Sequence, residues 1–388
     1  MSTIARQALT EEVRALAHAI GFNLVRFTSA LPFAGLEQDV CQRIGQGLYA
    51  NLPWFTPERA YMAGDIRRIV PPAQSIISLG LAYPSGNTYL PSTPGVPRGR
   101  VARYAWGRDY HRVVRRLTQR FIAELRQRFG HKEAQRGWVD TARLVERAVA
   151  ARAGLGWVGK NSCLLTSEYG SWVLLAEVAT DLDLEPDAPV RKTCGRCARC
   201  LPSCPTNALP APGVLDATQC ISALTIEARG AIPRTLRPKI GDWIFGCDIC
   251  QEVCPVNRGK EAKIHPDLLP ERGCGPSIEL LPLFSLSPAA FTAQFQGTSL
   301  MRTRREGLLR NACVALGNIA DPAAAPVLCT VLAQETSALV REHACWALGR
   351  ISSEQLARQA LAHAARSDPD LCVRQEAELS LDLGEVHS

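Results

Sequence analysis

Two stretches decide how this chain is organised: CGRCARCLPSCP at Cys194–Pro205 and CDICQEVCP at Cys247–Pro255. In the first, Cys194, Cys197, Cys200 and Cys204 have the spacing with which a tight loop wraps three thiolates around one [4Fe–4S] cube and sends the fourth to a second cube. The second stretch is the same run without its first cysteine, and Cys220 is the spare thiol between the two. The crossing rule assigns Cys194, Cys197, Cys200 and Cys254 to one cluster, and Cys204, Cys220, Cys247 and Cys250 to the other. Structural zinc is the competing reading of paired Cys-x2-Cys motifs. Three cysteines spaced Cys-x2-Cys-x2-Cys are too tight for one tetrahedral ion, however, and the Cys-Pro ending suits cluster ligation.

Either side of this centre the pattern changes. Upstream, helical patterns alternate with the apolar runs Ser75–Tyr83 and Ser171–Thr180, which read as buried strands of an α/β sheet. The stretch Pro84–Arg100 is dense in Pro, Gly and Ser and reads as a surface loop or lid. Downstream, LRNACVALGNI (Leu309–Ile319), VREHACWALGRI (Val340–Ile351) and VRQEAELSL (Val373–Leu381) repeat, with 32 residues from Leu316 to Leu348 and 33 from Leu348 to Leu381. Small, apolar and Arg residues recurring at that interval signal stacked helix pairs of the compact HEAT-like kind. The expected fold class is therefore α+β multidomain: a catalytic α/β domain over 1–185, a bacterial-type 2[4Fe–4S] ferredoxin domain over 186–265, and a C-terminal α-solenoid of HEAT-like repeats over 275–388.

The 388 residues, 46% of them hydrophobic, can bury a substantial core. No run of about 18 apolar residues is present, and the start MSTIARQALTEEVRALAHAIGF reads as an amphipathic helix and not a signal peptide. A cytoplasmic protein with no membrane association is expected, its fifteen cysteines not in disulfides. Those in the repeats read as small buried hydrophobes. Net charge is +7, but Arg98–Arg152 alone holds fifteen Arg or Lys against five acids. Between His111 and Phe129, Val113, Leu117, Phe121 and Leu125 step by four beside Arg112, Arg116 and Arg120, so one helix carries a core face and a basic face. A polyanionic partner and a merely solvated face remain equal readings of that charge.

Clusters move single electrons and rarely transform an organic substrate unaided, so a further cofactor is implied. Gly154-x-Gly156-x-x-Gly159 matches the dinucleotide fingerprint but follows a helical stretch (Ala142–Ala153) instead of a strand. A helix C-cap at Gly154 fits better. Asp109-x-His111 begins like the cobalt-ligating D-x-H-x-x-G, but Val114 stands where Gly is needed. Asp140 precedes a well-patterned helix and on position alone reads as its N-cap, with a catalytic role as the alternative.

RYAWGRDYH (Arg103–His111), VDTARLVERAVAARAGLGWVGKN (Val139–Asn161), CGRCARCLPSCPTNAL (Cys194–Leu209), CISALTIE (Cys220–Glu227) and CDICQEVCPVN (Cys247–Asn257) together resemble the epoxyqueuosine reductase family. The resemblance implies an oxidoreductase that reduces the epoxide of epoxyqueuosine, at the wobble position of tRNA, to queuosine. It implies a nitroreductase-like cobalamin-binding domain and cobalamin held base-off without a histidine ligand, fed by two [4Fe–4S] clusters and an external electron donor. The family's acid falls on Asp140. Arg59, Arg103, Lys160, Ser222, Thr225 and Asp248 stand in segments that by resemblance approach the corrin, surface solvation being the plainer reading of Lys160 and Arg103. Ala223 where the family usually has Tyr, and Thr141 and Arg143 where Ser and Pro are common, are departures. A tRNA anticodon stem-loop gives the basic face a partner, with Arg112, Arg115, Arg116 and Arg120 on its phosphates. Arg302, Arg304, Arg305, Arg341 and Arg374 could extend that track, with pairing inside the repeats as the alternative. A monomer is the default.

Two rivals have other chemistry. One is a corrinoid/iron–sulfur reductase of a small molecule; the other is a ferredoxin-like electron carrier whose solenoid docks a partner, which needs no corrin. All three share the clusters. Anaerobically reconstituted protein is expected to be brown and to carry about eight iron and eight acid-labile sulfide per chain; colourless protein without either element rules the cluster reading out.

Overall fold

The computed structural model describes residues 2–83, 86, 89–130, 135–140, 143–351 and 355–383. The chain forms two compact units, each assembled from three separate stretches. The first takes Met1–Gly86, Gly107–Thr218 and Ile249–Arg272; the second takes Asn87–Trp106, Gln219–Asp248 and Gly273–Ser388. Among the described residues no helix is long and apolar enough to cross a membrane.

In the first unit the amino-terminal helix Thr3–Ile20 forms as its pattern requires, capped by the Ser2 side chain. Four strands build one sheet in the order Leu24–Ser29, Ser75–Ala82, Val173–Thr180, Arg136–Trp138. The two apolar runs are its central pair. The α/β expectation is corrected in one respect, since every pairing in this sheet is antiparallel. Burial on both faces removes the polar alternation by which an antiparallel strand is usually recognised. All eight residues of Ser75–Ala82 are buried. On one face lies the helix Tyr110–Phe129, whose Thr118 and Ile122 approach so closely that any side chain at Gly137 would collide with them. On the other, Val149 of the helix Glu146–Arg152 packs against Ile76 and Ala179.

The long helix Tyr110–Phe129 buries Val113, Val114, Leu117, Thr118, Phe121, Ile122 and Leu125 and exposes Arg112, Arg115, Arg116 and Arg120. Asp109 caps it by accepting from the His111 backbone N–H. The helix expected from Ala142 begins instead at Glu146, with Val145 at its cap position. Asp140 is therefore not an N-cap. Gly154 ends that helix at φ +80, and a side chain there would strike the Ala188 carbonyl. Gly156 lies as close to the Leu165 carbonyl, beside the small hairpin Trp157–Val158 and Leu164–Leu165. The three glycines thus permit close backbone packing, and no strand-turn-helix loop for a dinucleotide is formed.

In the second unit, part of the expected loop is structured. Residues 84–85 and 87–88 lie outside the described residues, but Arg98–Val101 is the central strand of a three-stranded sheet, between Trp243–Phe245 and Ser277–Glu279. The repeats form the helices Arg304–Ile319, Ala325–Gln334, Ala338–Ile351, Gln355–Ser367 and Leu371–Leu383. Gly317 and Gly349 occupy one repeat position, where a side chain would collide with Trp346 and with Ser380 respectively. Another repeat position, held by Asn311, His343 and Glu376, faces the stretch Gln219–Asp248. Asn311 donates to the carbonyls of Thr225 and Ile244, His343 Nε2 accepts from Ile232 N–H, and Glu376 pairs with Arg234 and Arg237. Of the repeat cysteines, Cys313 and Cys345 are buried as expected, whereas Cys329 is half-buried and Cys372 exposed.

Most of the solenoid arginines proposed for an RNA track are engaged within the unit. Arg302 pairs with Glu227, Arg305 with Glu335, and Arg374 donates to the Asp368 and Pro369 carbonyls. Arg341 makes a two-pronged pair with Asp368 at 2.8 and 2.9 Å, both side chains at most 10% exposed. Breaking such a buried pair strands a charge, so Arg341→Met should cost about 3–5 kcal/mol in urea unfolding and leave RNA affinity unchanged. Unaltered stability with weakened RNA binding would reverse that reading.

Candidate active site and cluster loops

Asp140 sits in the left-handed backbone region at φ 57, which few residues other than Gly, Asn and Asp adopt. Its backbone N–H donates to Glu146 Oε1 at 2.5 Å, six residues on at the start of the helix Glu146–Arg152. Its carboxylate points to the N-terminus of the long helix. There Tyr110 Oη donates to Asp140 Oδ2 at 2.7 Å and His111 Nε2 lies 3.0 Å from the same oxygen. The other ring nitrogen of His111 is 2.9 Å from Asp109 Oδ1, and the Tyr110 and His111 rings stack 4.1 Å apart. Asp109, Tyr110 and His111 thus form, with Asp140, a connected polar chain that spacing alone did not disclose. The only trace in the sequence was the Asp109-x-His111 pair, rejected as a cobalt motif because of Val114. With both nitrogens of His111 occupied by carboxylates, that histidine indeed offers a metal no lone pair.

The surroundings push the group apart electrostatically. Burial works against charge on His111, but the hydrogen bonds from Asp109 and Asp140 outweigh it and lift the imidazole to about 9. Asp109 meets the same opposition from burial, and the His111 hydrogen bond brings its carboxyl below the usual range. Burial first, and then the charge of Asp140, raise Glu146 to about 8, so its side chain is largely neutral at pH 7. Beneath it Glu177, fully buried in the central strand pair, is pushed well above the carboxylate range by burial and then by Glu146, while the hydrogen bond from Ser78 opposes the shift. Arg59, on the helix Pro57–Gly64, stands near Asp140, Arg143 and Glu146. Burial lowers it and Asp140 opposes the change.

The four thiols expected to hold one cluster, Cys194, Cys197, Cys200 and Cys254, neighbour one another within the first unit. Burial raises Cys200, and the neighbouring Cys194, Cys254 and Cys197 raise it further; Cys254 is shifted upward by burial and by Cys194 and Cys197. Crowded thiols that resist ionisation together are the donor set a multinuclear cationic cluster would neutralise. Lys160 Nζ donates to the Gly195 carbonyl at 2.9 Å, and Asn161 to the Cys250 carbonyl at 3.3 Å. Asn257 accepts from Ser171 N–H at 2.7 Å and donates to the Gln251 carbonyl, packed so tightly on Gly170 that no side chain fits there. Half-buried Lys160 thus ties its hairpin segment to the cysteine loop. Of the second set, Cys204 and Cys250 belong to the first unit, and Cys220 and Cys247 to the second.

The other residues expected near a corrin belong to the second unit. Arg103 is buried; its backbone N–H donates to Asp248 Oδ2 at 2.8 Å and its guanidinium pairs with the same oxygen at 3.3 Å. Thr225 donates to the Ile221 carbonyl and accepts from Gly246 N–H, while Ser222 is half-buried. On the basic face, Arg116 pairs with Asp267 at 2.5 Å, which leaves Arg112, Arg115 and Arg120 as its more available charges.

Comparison with known proteins agrees with this arrangement. Residues 64–141 match the family model "Epoxyqueuosine reductase QueG, DUF1730", residues 193–257 the "4Fe-4S double cluster binding domain", and residues 298–382 the "HEAT repeats". The epoxyqueuosine reductase of Bacillus subtilis is 35% identical over 97% of this chain and 95% of its own. That of Pseudomonas aeruginosa is 42% identical over 73% of this chain and 78% of its own. A crystal structure of epoxyqueuosine reductase with an epoxyqueuosine-modified tRNA-Tyr stem loop superposes with TM-score 0.90 at 34% identity, covering 97% of this chain and 99% of that one. Another, from Bacillus subtilis with its aspartate catalytic loop swung out of the active site, reaches 0.89 over the same shares. With 35% identity along nearly the whole of both chains and a double-cluster domain in its place, the chain belongs to the epoxyqueuosine reductase family of iron–sulfur oxidoreductases.

Proposed function

We propose that this protein reduces the epoxide of epoxyqueuosine in the anticodon loop of tRNA to the alkene of queuosine, with Asp140 as its acid. The observation that carries the reading is Asp140 itself: a 46% exposed carboxylate, held off the helix it was expected to cap and fixed by Glu146, Tyr110 and His111. Cobalamin, base-off, would supply the reducing centre when bound, with single electrons delivered from an external donor through the two clusters. The donor set fits that assignment, because His111 is committed to two carboxylates and the reading calls for no histidine on cobalt. Arg59, Lys160, Ser222, Thr225, Arg103 and Asp248 are the residues assigned to the corrin. The last two would act as a pair, since each is already buried against the other.

Opening an epoxide places negative charge on oxygen. A positioned carboxylic acid lets that oxygen leave protonated, a gain of about 10²–10⁴-fold. Asp140→Asn keeps the hydrogen-bonding shape and removes the proton, so it should retain iron, sulfide, cobalamin and stem-loop binding and lose turnover by roughly that factor. Nucleoside analysis of epoxyqueuosine-bearing tRNA checks it; undiminished turnover removes Asp140 from the chemistry.

The exposed arginines of the long helix would contact phosphates of the stem-loop, the wobble base being read as an unstacked loop nucleotide. Each phosphate neutralised contributes about 0.7–0.9 to the slope of log affinity against log salt. Arg112→Ala, Arg115→Ala and Arg120→Ala should each flatten that slope measurably. Arg116→Ala should do so least, because Asp267 already neutralises it. A salt-independent affinity would remove this face from the interface.

A further inference from the structure

Removing an epoxide oxygen as water breaks two carbon–oxygen bonds, forms one carbon–carbon double bond, and consumes two electrons and two protons. The electrons come from an external one-electron reductant through the clusters. One proton accompanies the first carbon–oxygen cleavage and gives a hydroxyl; the second lets that hydroxyl leave as water. Asp140 can deliver only one proton at a time, so within a single turnover it must be reloaded. Resting on the reading above, we propose that His111 supplies the second proton, passing it from Nε2 to Asp140 Oδ2, and that Asp109 is the positioning residue that holds the imidazole for this relay.

Geometry carries the assignment. The Asp140 side chain is 46% exposed and His111 only 14%, so substrate reaches the first and the second must act through it. Nε2 lies 3.0 Å from Oδ2, within the range for direct proton transfer. Asp109 is 2.9 Å from Nδ1, which fixes the ring so that a proton leaves from the Nε2 side. Asp109 is also the helix cap, accepting the His111 backbone N–H at 3.1 Å, so ring and backbone are aligned by one carboxylate. A carboxyl group that gives a proton from one oxygen can take the next on the other. Tyr110 also donates to Oδ2, at 2.7 Å, and orients Asp140 without charge of its own.

Among the described residues, the charged groups facing His111 are Asp109 at the start of its own helix, Asp140 from the loop and Glu146 from the facing helix; Arg112 acts on Asp109, and Arg59, with Arg143 beside it, faces Asp140 and Glu146. With the imidazole lifted to about 9, the proton is present throughout the neutral range and is lost as pH rises through that value. Activity should therefore carry an alkaline limb set by His111.

The test uses the full chain with clusters and cobalamin restored, an epoxyqueuosine-bearing stem-loop, and the variants Asp109→Asn and His111→Gln. Asn caps helices as well as Asp does, so the first variant keeps the helix start. With ¹⁵N-histidine labelling, the His111 ring is assigned as the signal missing in His111→Gln and titrated in wild type and in Asp109→Asn. The expected result is one shift seen twice: Asp109→Asn lowers the imidazole midpoint and moves the alkaline limb of kcat down by the same amount. His111→Gln abolishes the limb and lowers kcat about 10²-fold at unchanged stem-loop Kd and cluster content. An imidazole midpoint that moves while the limb stays, or a His111→Gln kcat within about twofold of wild type, overturns the relay and leaves the functional reading standing. Wild-type protein that leaves the epoxide intact overturns the functional reading, and the relay falls with it.

Discussion

Much of the site depends on one backbone conformation, the left-handed turn at Asp140. For an L-residue this costs about 1–2 kcal/mol, somewhat less for Asp, and it persists only where surrounding contacts determine it. Here the N–H is held by Glu146, and the carboxylate by Tyr110 and His111. Hydrogen bonds involving a charged partner contribute roughly 1.5–3 kcal/mol each, so the two made to the carboxylate exceed the strain. The carboxylate is thereby directed at the start of another helix instead of being spent on capping its own.

Stability is given up beneath this turn. Glu146 and Glu177 are two carboxyls in a region where Ile76, Val149 and Ala179 provide the packing, and Glu177 Oε2 has no hydrogen-bond partner among the described residues. Both side chains are driven toward the neutral acid, as a low-dielectric setting requires. Apolar residues at either position would pack the sheet better. Violations of the packing rules that concentrate next to an exposed carboxylate are what a functional site leaves in an otherwise consistent fold.

How much of this could be read from the chain depended on how local each constraint was. The cluster loops were legible because ligation fixes spacing within a dozen residues. The helix Tyr110–Phe129 and the repeats were legible because their faces recur at helical intervals. On local pattern alone Asp140 reads as a cap, because LVERAVAAR continues a good helical pattern back toward it, and nothing local reveals that Glu146 captures its N–H. His111 was set aside on Val114, a correct exclusion of one chemistry that said nothing of a partner 29 residues away. Arginines in the repeats illustrate the same limit. Composition shows that Arg341 is cationic, but only the fold shows Asp368 waiting in the loop that follows the helix Gln355–Ser367. The buried strands were seen and their direction was not, since burial on both faces looks the same whichever way neighbours run.

The long helix finally joins two tasks that the sequence presented separately. Its exposed flank carries Arg112, Arg115 and Arg120, and its first turn carries Tyr110 and His111 with Asp109 as the cap. It is anchored in the core by seven buried residues between Val113 and Leu125, so neither end moves without the other. Phosphate contacts along the flank would then fix, through a rigid body and not through a loop, where the polar chain around Asp140 stands relative to a bound nucleotide. The tolerance for productive proton transfer is a few tenths of an ångström, and a helix cap meets it where an unsupported loop does not. On the proposed function, this would account for a basic face and a half-buried imidazole–carboxylate pair occurring on one element, a combination that neither RNA binding nor acid catalysis would require alone.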